Sequence, residues 1–173
     1  MRMDNDQTPT PNVQYLSSVN TIGSSNGRHF HIPIELRGRS RVQQVAAMVD
    51  CGASAPFLAH KFVKSHNVLV KKLESLITLY NIDMTPNRAG TITHTAELQM
   101  AIGEHVETVQ FYVTDIGPEN VVLGITWLRA HNPEIDWAAG KLSFTRCTCP
   151  GSSQGASPPE VPINRDEALW NQS

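Results

Sequence analysis

The stretch AAMVDCGASAPFLAHKF, residues 46–62, places a run of small apolar residues directly before a single carboxylate, Asp50. After Asp50 the chain turns through four small residues: Cys51, Gly52, Ala53 and Ser54. Gly52 allows a sharp turn without a side-chain clash. Pro56 predicts the start of a helix, because proline suits the first helical position. An Asp at the tip of such a turn packs poorly, so it either caps the turn or takes part in chemistry.

The composition of the whole chain limits the classes of protein to which it can belong. The chain has 173 residues, of which 40% are hydrophobic, so one ordinary domain with tails is expected and two full lobes are not. Lys and Arg number 14 against 16 Asp and Glu, which argues against nucleic-acid binding through a broad basic face.

The lengths of the apolar segments indicate where in the cell the protein is expected. No segment approaches the roughly 18 apolar residues of a membrane span, and the polar N-terminus has no apolar core of a signal peptide. We therefore expect a cytoplasmic protein that is neither secreted nor bound to membranes. Its three cysteines are expected to be thiols and not a disulfide framework.

Composition shifts predict three segments. Residues 1–28 are rich in Asn, Ser, Thr, Gly and Pro and lack periodicity, so they are predicted to be a flexible lead-in. Residues 146–173 have a similar composition and are predicted to be a flexible tail or linker. One compact domain is expected over residues 29–145.

The alternation of apolar residues within that domain predicts mostly strands. Residues 30–36 and 42–49 form a predicted hairpin, with Pro33 indicating an edge. Residues 91–102 alternate and turn at Gly103 into another strand. Besides the helix at Pro56, a short helix is expected over residues 125–132, ended by Pro133. Many short strands with one or two short helices predict a mainly β, barrel-like fold.

A second apolar segment complements the Asp50 turn. NVVLGITWL, residues 120–128, is an apolar strand followed by Gly124 and a helix. Alone, each segment is ordinary: Asp-x-Gly turns are common, and Val122-Leu123-Gly124 is usual punctuation between a strand and a helix. Their order and spacing together are more specific.

Together these segments resemble the retropepsin-like aspartic proteases of gypsy-type LTR retrotransposon polyproteins, fungal ones in particular. The family signature appears as Asp50-Cys51-Gly52-Ala53, and its hydrophobic-hydrophobic-Gly element as Val122-Leu123-Gly124. The segments VVLGITWLRAHNPEIDW and NIDMTPNRAGTITH are similar to the same polyproteins. Residues 79–94 resemble the substrate-binding flap, whose predicted tip comprises Ile82, Asp83, Met84 and Thr85.

The resemblance implies a single-lobed barrel that acts as a homodimer. Such proteases hydrolyse peptide bonds with two carboxylates that share one proton across a bound water. Since the chain offers one copy of the signature, Asp50 of each chain is expected to meet its copy at a two-fold axis. The implied activity is an aspartic endopeptidase that processes a Gag-Pol polyprotein, within virus-like particles or the cytoplasm. The implied partners are a second copy and a polypeptide substrate, without a cofactor.

Three residues depart from the family pattern. Cys51 stands where the family has Thr or Ser, whose hydroxyl braces the two Asp turns across the axis, and a thiol is a weaker donor and acceptor. Met84 stands where related flaps often carry Gly, and Ile125 where retroviral members carry Arg. An alternative function follows: a domesticated or degenerate module of the same fold that dimerises and binds peptides with little or no catalysis.

Other residues have weaker functional interpretations. Cys147-x-Cys149 lacks a second pair or a nearby His in the sequence, so no metal site is predicted. Cys51 as a nucleophile would need a base, and the sequence supplies none. Trp127 and Trp137 are expected in the core or a dimer contact, while Asp115 is expected in a turn.

Overall fold

Strands make up most of the computed structural model, which describes residues 14–15, 29–39, 41–81, 83–147 and 161–162. The strands within these ranges are β1 (Gln14–Tyr15), β2 (His31–Arg37), β3 (Val42–Val49), β4 (Phe57–Ala59), β5 (Lys71–Tyr80), β6 (Pro86–Ile102), β7 (His105–Thr114), β8 (Val121–Leu123), β9 (Glu134–Asp136), β10 (Lys141–Ser143) and β11 (Val161–Pro162). The helices in the same ranges are α1 (His60–Ser65) and α2 (Ile125–His131). The predicted terminal segments lie largely outside the described residues.

One sheet closes on itself to form the barrel. Its strand order is β1-β5-β6-β2-β3-β8-β4-β7, and a further pairing of β6 with β7 joins β2, β3, β8, β4 and β7 into a ring with β6. Strands β5 and β1 extend outward from β6, and a smaller sheet holds β9, β10 and β11. The predicted mainly β, barrel-like fold with short helices is confirmed.

Strand β6 is the longest element and joins the barrel to the β5 extension. It pairs with β5, β2 and β7 along different parts of its length. Five alternate positions face the core, as the period of two predicts: Ile92, Ala96, Leu98, Met100 and Ile102. The predicted tight turn after β6 is present at Gly103, whose φ is 58°.

The hairpin of β2 and β3 brings the apolar run to Asp50. The predicted ranges 30–36 and 42–49 agree closely with the observed strands. Pro33 pairs with β3, whereas the β6 pairing of β2 covers only Glu35–Arg37. Within the described ranges, one side of β2 therefore has no paired strand at Pro33, which fits its missing N–H.

The prediction of a helix at Pro56 is wrong. Residues Phe57–Ala59 form β4, which pairs in parallel with β7 and antiparallel with β8, and α1 begins only at His60. All three residues of β4 are buried. Burial and two strand partners outweigh the local preference for proline at a helix start.

Helix α2 ends as predicted, before Pro133. Asn132 is left-handed with φ of 41°, and its N–H donates to the carbonyl of Leu128. Trp127 on this helix is buried, whereas Trp137 is 66% exposed and lies outside the core. The dimer contact expected as the alternative stays a prediction for Trp137. No helix in the described ranges is long and apolar enough to cross a membrane.

Candidate active site

The Asp50 turn follows directly from β3 and closes on its own carboxylate. The N–H of Gly52 donates to Asp50 Oδ1 at 2.8 Å, and the N–H of Ala53 donates to the Asp50 carbonyl at 3.2 Å. Cys51 and Gly52 are exposed, Asp50 and Ser54 are half-buried, and Ala53 is buried. The turn thus has a buried base and an open tip next to the carboxylate.

Backbone hydrogen bonds hold this turn against the junction of β8 and α2. The Asp50 N–H donates to the Leu123 carbonyl at 3.0 Å, and the Ile125 N–H donates to the Ala53 carbonyl at 2.7 Å. Strands β3 and β8 run in parallel up to the pair Val49 and Leu123. Both ends of the turn are therefore bound to neighbours of Gly124.

Gly124 is required by space at this junction. A Cβ at this position would lie 2.5 Å from the carbonyl oxygens of Ala53 and Ala55 and 2.7 Å from the Ala55 nitrogen. Its φ of −90° is open to any residue, so the need for glycine is steric. Val122 and Leu123 before it are fully buried. Gly124 therefore lies in close contact with the backbone of the Asp50 turn.

The predicted flap tip lies in the turn between β5 and β6. Asn81 donates its N–H to the Thr85 carbonyl at 2.9 Å. Asp83 Oδ1 accepts the Thr85 hydroxyl at 2.6 Å and the Thr85 N–H at 3.0 Å, and these bonds lower the pKa of Asp83. Ile82 lies outside the described residues. The position of this turn over Asp50 stays a prediction.

Met84 adopts a backbone conformation that favours glycine. Its φ is 65°, in the left-handed region that costs most residues about 1–2 kcal/mol. Its side chain is 61% exposed at the tip of the hairpin. The departure from glycine noted in the sequence therefore leaves the turn in place and adds an exposed apolar side chain to it.

A second Asp-x-Gly turn follows β7. The Gly117 N–H donates to Asp115 Oδ1 at 3.0 Å, the same contact that closes the Asp50 turn. Lys61 Nζ donates to the carbonyls of Gly117 and Pro118, at 2.9 and 2.8 Å. Asp115 is exposed, and a Cβ at Gly117 would meet open space. Asp115 thus lies in a turn, as predicted.

Sequence reasoning missed two groups of polar contacts at the barrel. His31 Nε2 lies 2.9 Å from Glu119 Oε2, and this hydrogen bond raises the pKa of His31 against the effect of burial. Glu107 accepts from Trp127 Nε1 at 2.8 Å and lies 3.0 Å from His131 Nε2. Burial alone would raise the pKa of Glu107, but hydrogen bonds including these two outweigh it and lower the pKa to about 2.

The sequence does contain a feature that indicates the inward direction of the half-buried Glu107. Positions 105, 107, 109, 111 and 113 share one face of β7, and four of the five residues are buried. A carboxylate in phase with Val109, Phe111 and Val113 indicates a charged side chain directed toward the core, where it needs partners.

The chain is similar to a known protein family and to solved structures. The family described as the PEG10/RTL1 protease domain matches residues 46–153, more than half of the chain. The retroviral protease-like domain of Ddi1 from Leishmania major is similar at 15% identity and TM-score 0.49, covering 79% of this chain and 97% of that one. A Legionella pneumophila protein of unknown function is similar at 17% identity and TM-score 0.40, covering 68% and 94%.

The six-stranded barrel, with an Asp-Cys-Gly-Ala turn bound to a Val-Leu-Gly segment, defines a retropepsin-like protease domain. The chain belongs to the PEG10/RTL1 protease domain family.

Proposed function

We propose that this chain is an aspartic endopeptidase that acts as a homodimer, with Asp50 of each copy facing the other across a two-fold axis. The Asp50 turn is the observation that carries the proposal. Its carboxylate is half-buried beside an exposed tip, while Leu123 and Ile125 bind the turn through the backbone. A catalytic carboxylate needs this kind of support, since small displacements cost activity.

The chemistry requires two carboxylates and one water. Two carboxylates a few Å apart cannot both ionise, so the pair holds one proton. The ionised Asp50 takes a proton from the water, and the protonated Asp50 of the other copy donates to the oxygen of the scissile carbonyl. One copy supplies one carboxylate, and an isologous dimer supplies the pair.

The substrate we propose is an extended polypeptide covered by the hairpin of β5 and β6. Asp83 and Thr85 brace the tip of that hairpin through hydrogen bonds, and Met84 exposes an apolar side chain there. A lid of this kind must open to admit a polypeptide and close to exclude water. Ile82 is included in the proposed flap from the sequence alone.

The biological substrate we propose is a Gag-Pol polyprotein of a gypsy-type element. The segments that resemble gypsy-type polyproteins support this, as does membership of a protease domain family. The cytoplasm or a virus-like particle is the corresponding location, without direct nucleic-acid or membrane binding. The fungal origin also stays a prediction.

Dilution and mixing test the proposal. The purified protein should cleave members of an extended peptide library, with products read by mass spectrometry at several pH values. Specific activity should fall on dilution as monomer accumulates, in parallel with the dimer fraction from sedimentation. Adding excess Asp50→Asn protein should suppress the wild type, because a mixed dimer holds only one Asp50 carboxylate.

Each negative outcome of this experiment is informative. An active monomer, or activity that does not respond to excess Asp50→Asn protein, would contradict the shared site. A wild-type dimer that binds peptides and cleaves none would contradict catalysis and favour the inactive dimerisation module.

A further inference from the structure

Three potential metal ligands from distant parts of the chain meet in the buried interior. His105 begins β7, His131 ends α2, and Cys147 follows β10. All three side chains are buried, and one ligand atom from each lies within 4.8 Å of the other two. Imidazole nitrogen and thiolate sulfur are the ligand atoms that Zn²⁺ prefers in structural sites.

A hydrogen-bond contact within the cluster joins His131 to Cys147. His131 Nδ1 lies 3.2 Å from Cys147 Sγ. Zn–N distances of about 2.0–2.1 Å and Zn–S distances of about 2.3 Å put ligand atoms of one tetrahedral ion about 3–4 Å apart. Side-chain shifts on the order of 1 Å would therefore let the three atoms share one ion.

Glu107 orients the two imidazole rings from outside the cluster. Its Oε2 lies 3.0 Å from His131 Nε2, and its Oε1 lies 3.4 Å from His105 Nε2. Trp127 Nε1 donates to Oε1 at 2.8 Å and fixes the carboxylate. Metal-bound histidines commonly donate their second N–H to such a carboxylate, which leaves the other ring nitrogen for the metal.

His105 supplies an independent observation that points to a metal ligand. Its Nδ1 is buried and has no hydrogen-bond partner among the described residues. The ring is held in place by stacking on Phe144, with centroids 4.3 Å apart, and by an edge contact with His131 at 4.9 Å. A buried polar atom without a partner is costly, and metal coordination is one way to satisfy it.

We propose that His105, His131 and Cys147 bind a structural Zn²⁺ ion, with a fourth position open to water or another ligand. The ion would join β7, the end of α2 and the segment after β10, and so fasten that segment to the barrel. No such site was predicted from the sequence because no His lies near Cys147 along the chain. In the folded chain, His105 and His131 both lie close to Cys147.

Cobalt spectroscopy provides a direct test, because Co²⁺ takes the same ligands as zinc and its thiolate bond absorbs light. Metal-free wild-type protein should bind one Co²⁺ per chain, show thiolate-to-cobalt absorption, and lose it when Zn²⁺ is added. Cys147→Ser should abolish this absorption, and His105→Gln should weaken Co²⁺ binding at least tenfold. Cys51→Ser is the matched control and should bind like the wild type, since Cys51 is exposed in the Asp50 turn.

Alkylation of the wild type gives a second measurement that depends on no variant. Zn²⁺ should slow alkylation of Cys147 at least tenfold, as located by peptide mass spectrometry, and leave Cys51 unchanged. Three results would overturn the proposal: no stoichiometric metal binding, thiolate absorption that survives Cys147→Ser, or protection confined to Cys51 or Cys149. None of these readouts depends on peptidase activity.

Discussion

The two Asp-x-Gly turns of this chain have the same local geometry and different surroundings. In each, the glycine N–H donates to Oδ1 of the aspartate, at 2.8 Å for Asp50 and 3.0 Å for Asp115. Backbone groups of Leu123 and Ile125 bind the Asp50 turn, whereas the Lys61 side chain binds the Asp115 turn. The tripeptide alone therefore produces a turn, and the surrounding fold decides how rigidly its carboxylate is held.

This difference separates a candidate catalytic carboxylate from a structural one. Asp side chains readily bond to the backbone two residues on, so the shared contact carries little functional information. A long, flexible lysine loses side-chain entropy when it holds a turn, and it holds it less rigidly than two backbone hydrogen bonds. The backbone hydrogen bonds to Leu123 and Ile125 therefore favour the Asp50 turn as the proposed catalytic site.

The largest expected effect comes from removing the Asp50 carboxylate, with removal of the Asp115 carboxylate as the comparison. Asp50→Asn keeps the shape but removes the shareable proton and the base, so peptide turnover should fall at least about 10²–10⁴-fold. Asp115→Asn should leave turnover within about twofold, because its turn lies outside the proposed chemistry. Initial rates on one cleaved peptide, with circular dichroism to check folding, measure both.

Two results would break the comparison. Turnover retained by Asp50→Asn would exclude the aspartic mechanism. An equal loss of turnover in both variants, with both folded, would mean that the backbone hydrogen bonds of Leu123 and Ile125 do not distinguish the two turns in function.

The glycines of the two regions should differ in free energy of unfolding. Gly124→Ala places a Cβ against three backbone atoms that cannot move aside, so it should cost about 3 kcal/mol, at the upper end for overpacking. Gly117→Ala meets open space but has φ of 65°, which should cost about 1–2 kcal/mol. Urea denaturation of both variants beside the wild type measures the difference. Equal costs would mean that the junction at Gly124 relaxes freely.

Much of the fold around these turns was predictable because local patterns and tertiary packing agree. Strand β3 and the buried face of β6 follow from simple alternation. The strand and the helix on either side of Gly124 were predictable from their order in the sequence. The helix predicted at Pro56 was wrong because β4 pairs with two other strands, and no local pattern reveals these pairings.

The buried polar cluster was beyond sequence reasoning for a different physical reason. His105, His131 and Cys147 come from β7, α2 and the segment after β10, and only the closed barrel brings them together. Each alone is an ordinary residue at the end of an element. The partial burial of Glu107 could have been predicted, since the sequence shows that Glu107 is in phase with the apolar residues of β7.

Cys51 offers a way to sharpen the comparison through the dimer. Cys51→Thr introduces a hydroxyl that can donate to and accept from the opposing turn, and each such bond contributes roughly 0.5–1.5 kcal/mol. Two symmetric copies should tighten the dimer by about 1–3 kcal/mol, provided that the added methyl fits. Dimer dissociation constants from sedimentation measure this. Cys51→Ser is the matched control, because it adds the hydroxyl without the methyl.

The outcome for Cys51 distinguishes two explanations of its presence. A tighter dimer in both variants means that the thiol is a weak substitute for a hydroxyl. A tighter dimer in Cys51→Ser alone means that the axis has no room for a methyl. A weaker dimer in both means that Cys51 is packed for its own size.

The smallest expected effect concerns pH and the segment that follows the Asp115 turn. Glu119 in that segment lies 2.9 Å from His31 Nε2, while His31 Nδ1 donates to the His29 carbonyl at 2.8 Å. Both ring nitrogens thus face acceptors, which favours the protonated imidazole and raises the pKa of His31 above 6.5. The resulting stabilisation is fully present below about pH 6.5 and is lost as the pH rises through the raised pKa.

Comparing the wild type with His31→Gln at several pH values isolates this contribution. The pair is partly exposed, so the free energy of unfolding should differ by no more than about 1 kcal/mol at low pH, and the difference should shrink as the pH rises. Glu119→Gln should remove the same pH dependence, and the double variant should add nothing to either single one. A difference that grows with pH would contradict the sign of the His31 shift. If the contribution behaves as expected, the segment after Asp115 depends partly on a titratable pair, whereas the Asp50 turn is bound to Leu123 and Ile125 by backbone hydrogen bonds that do not titrate.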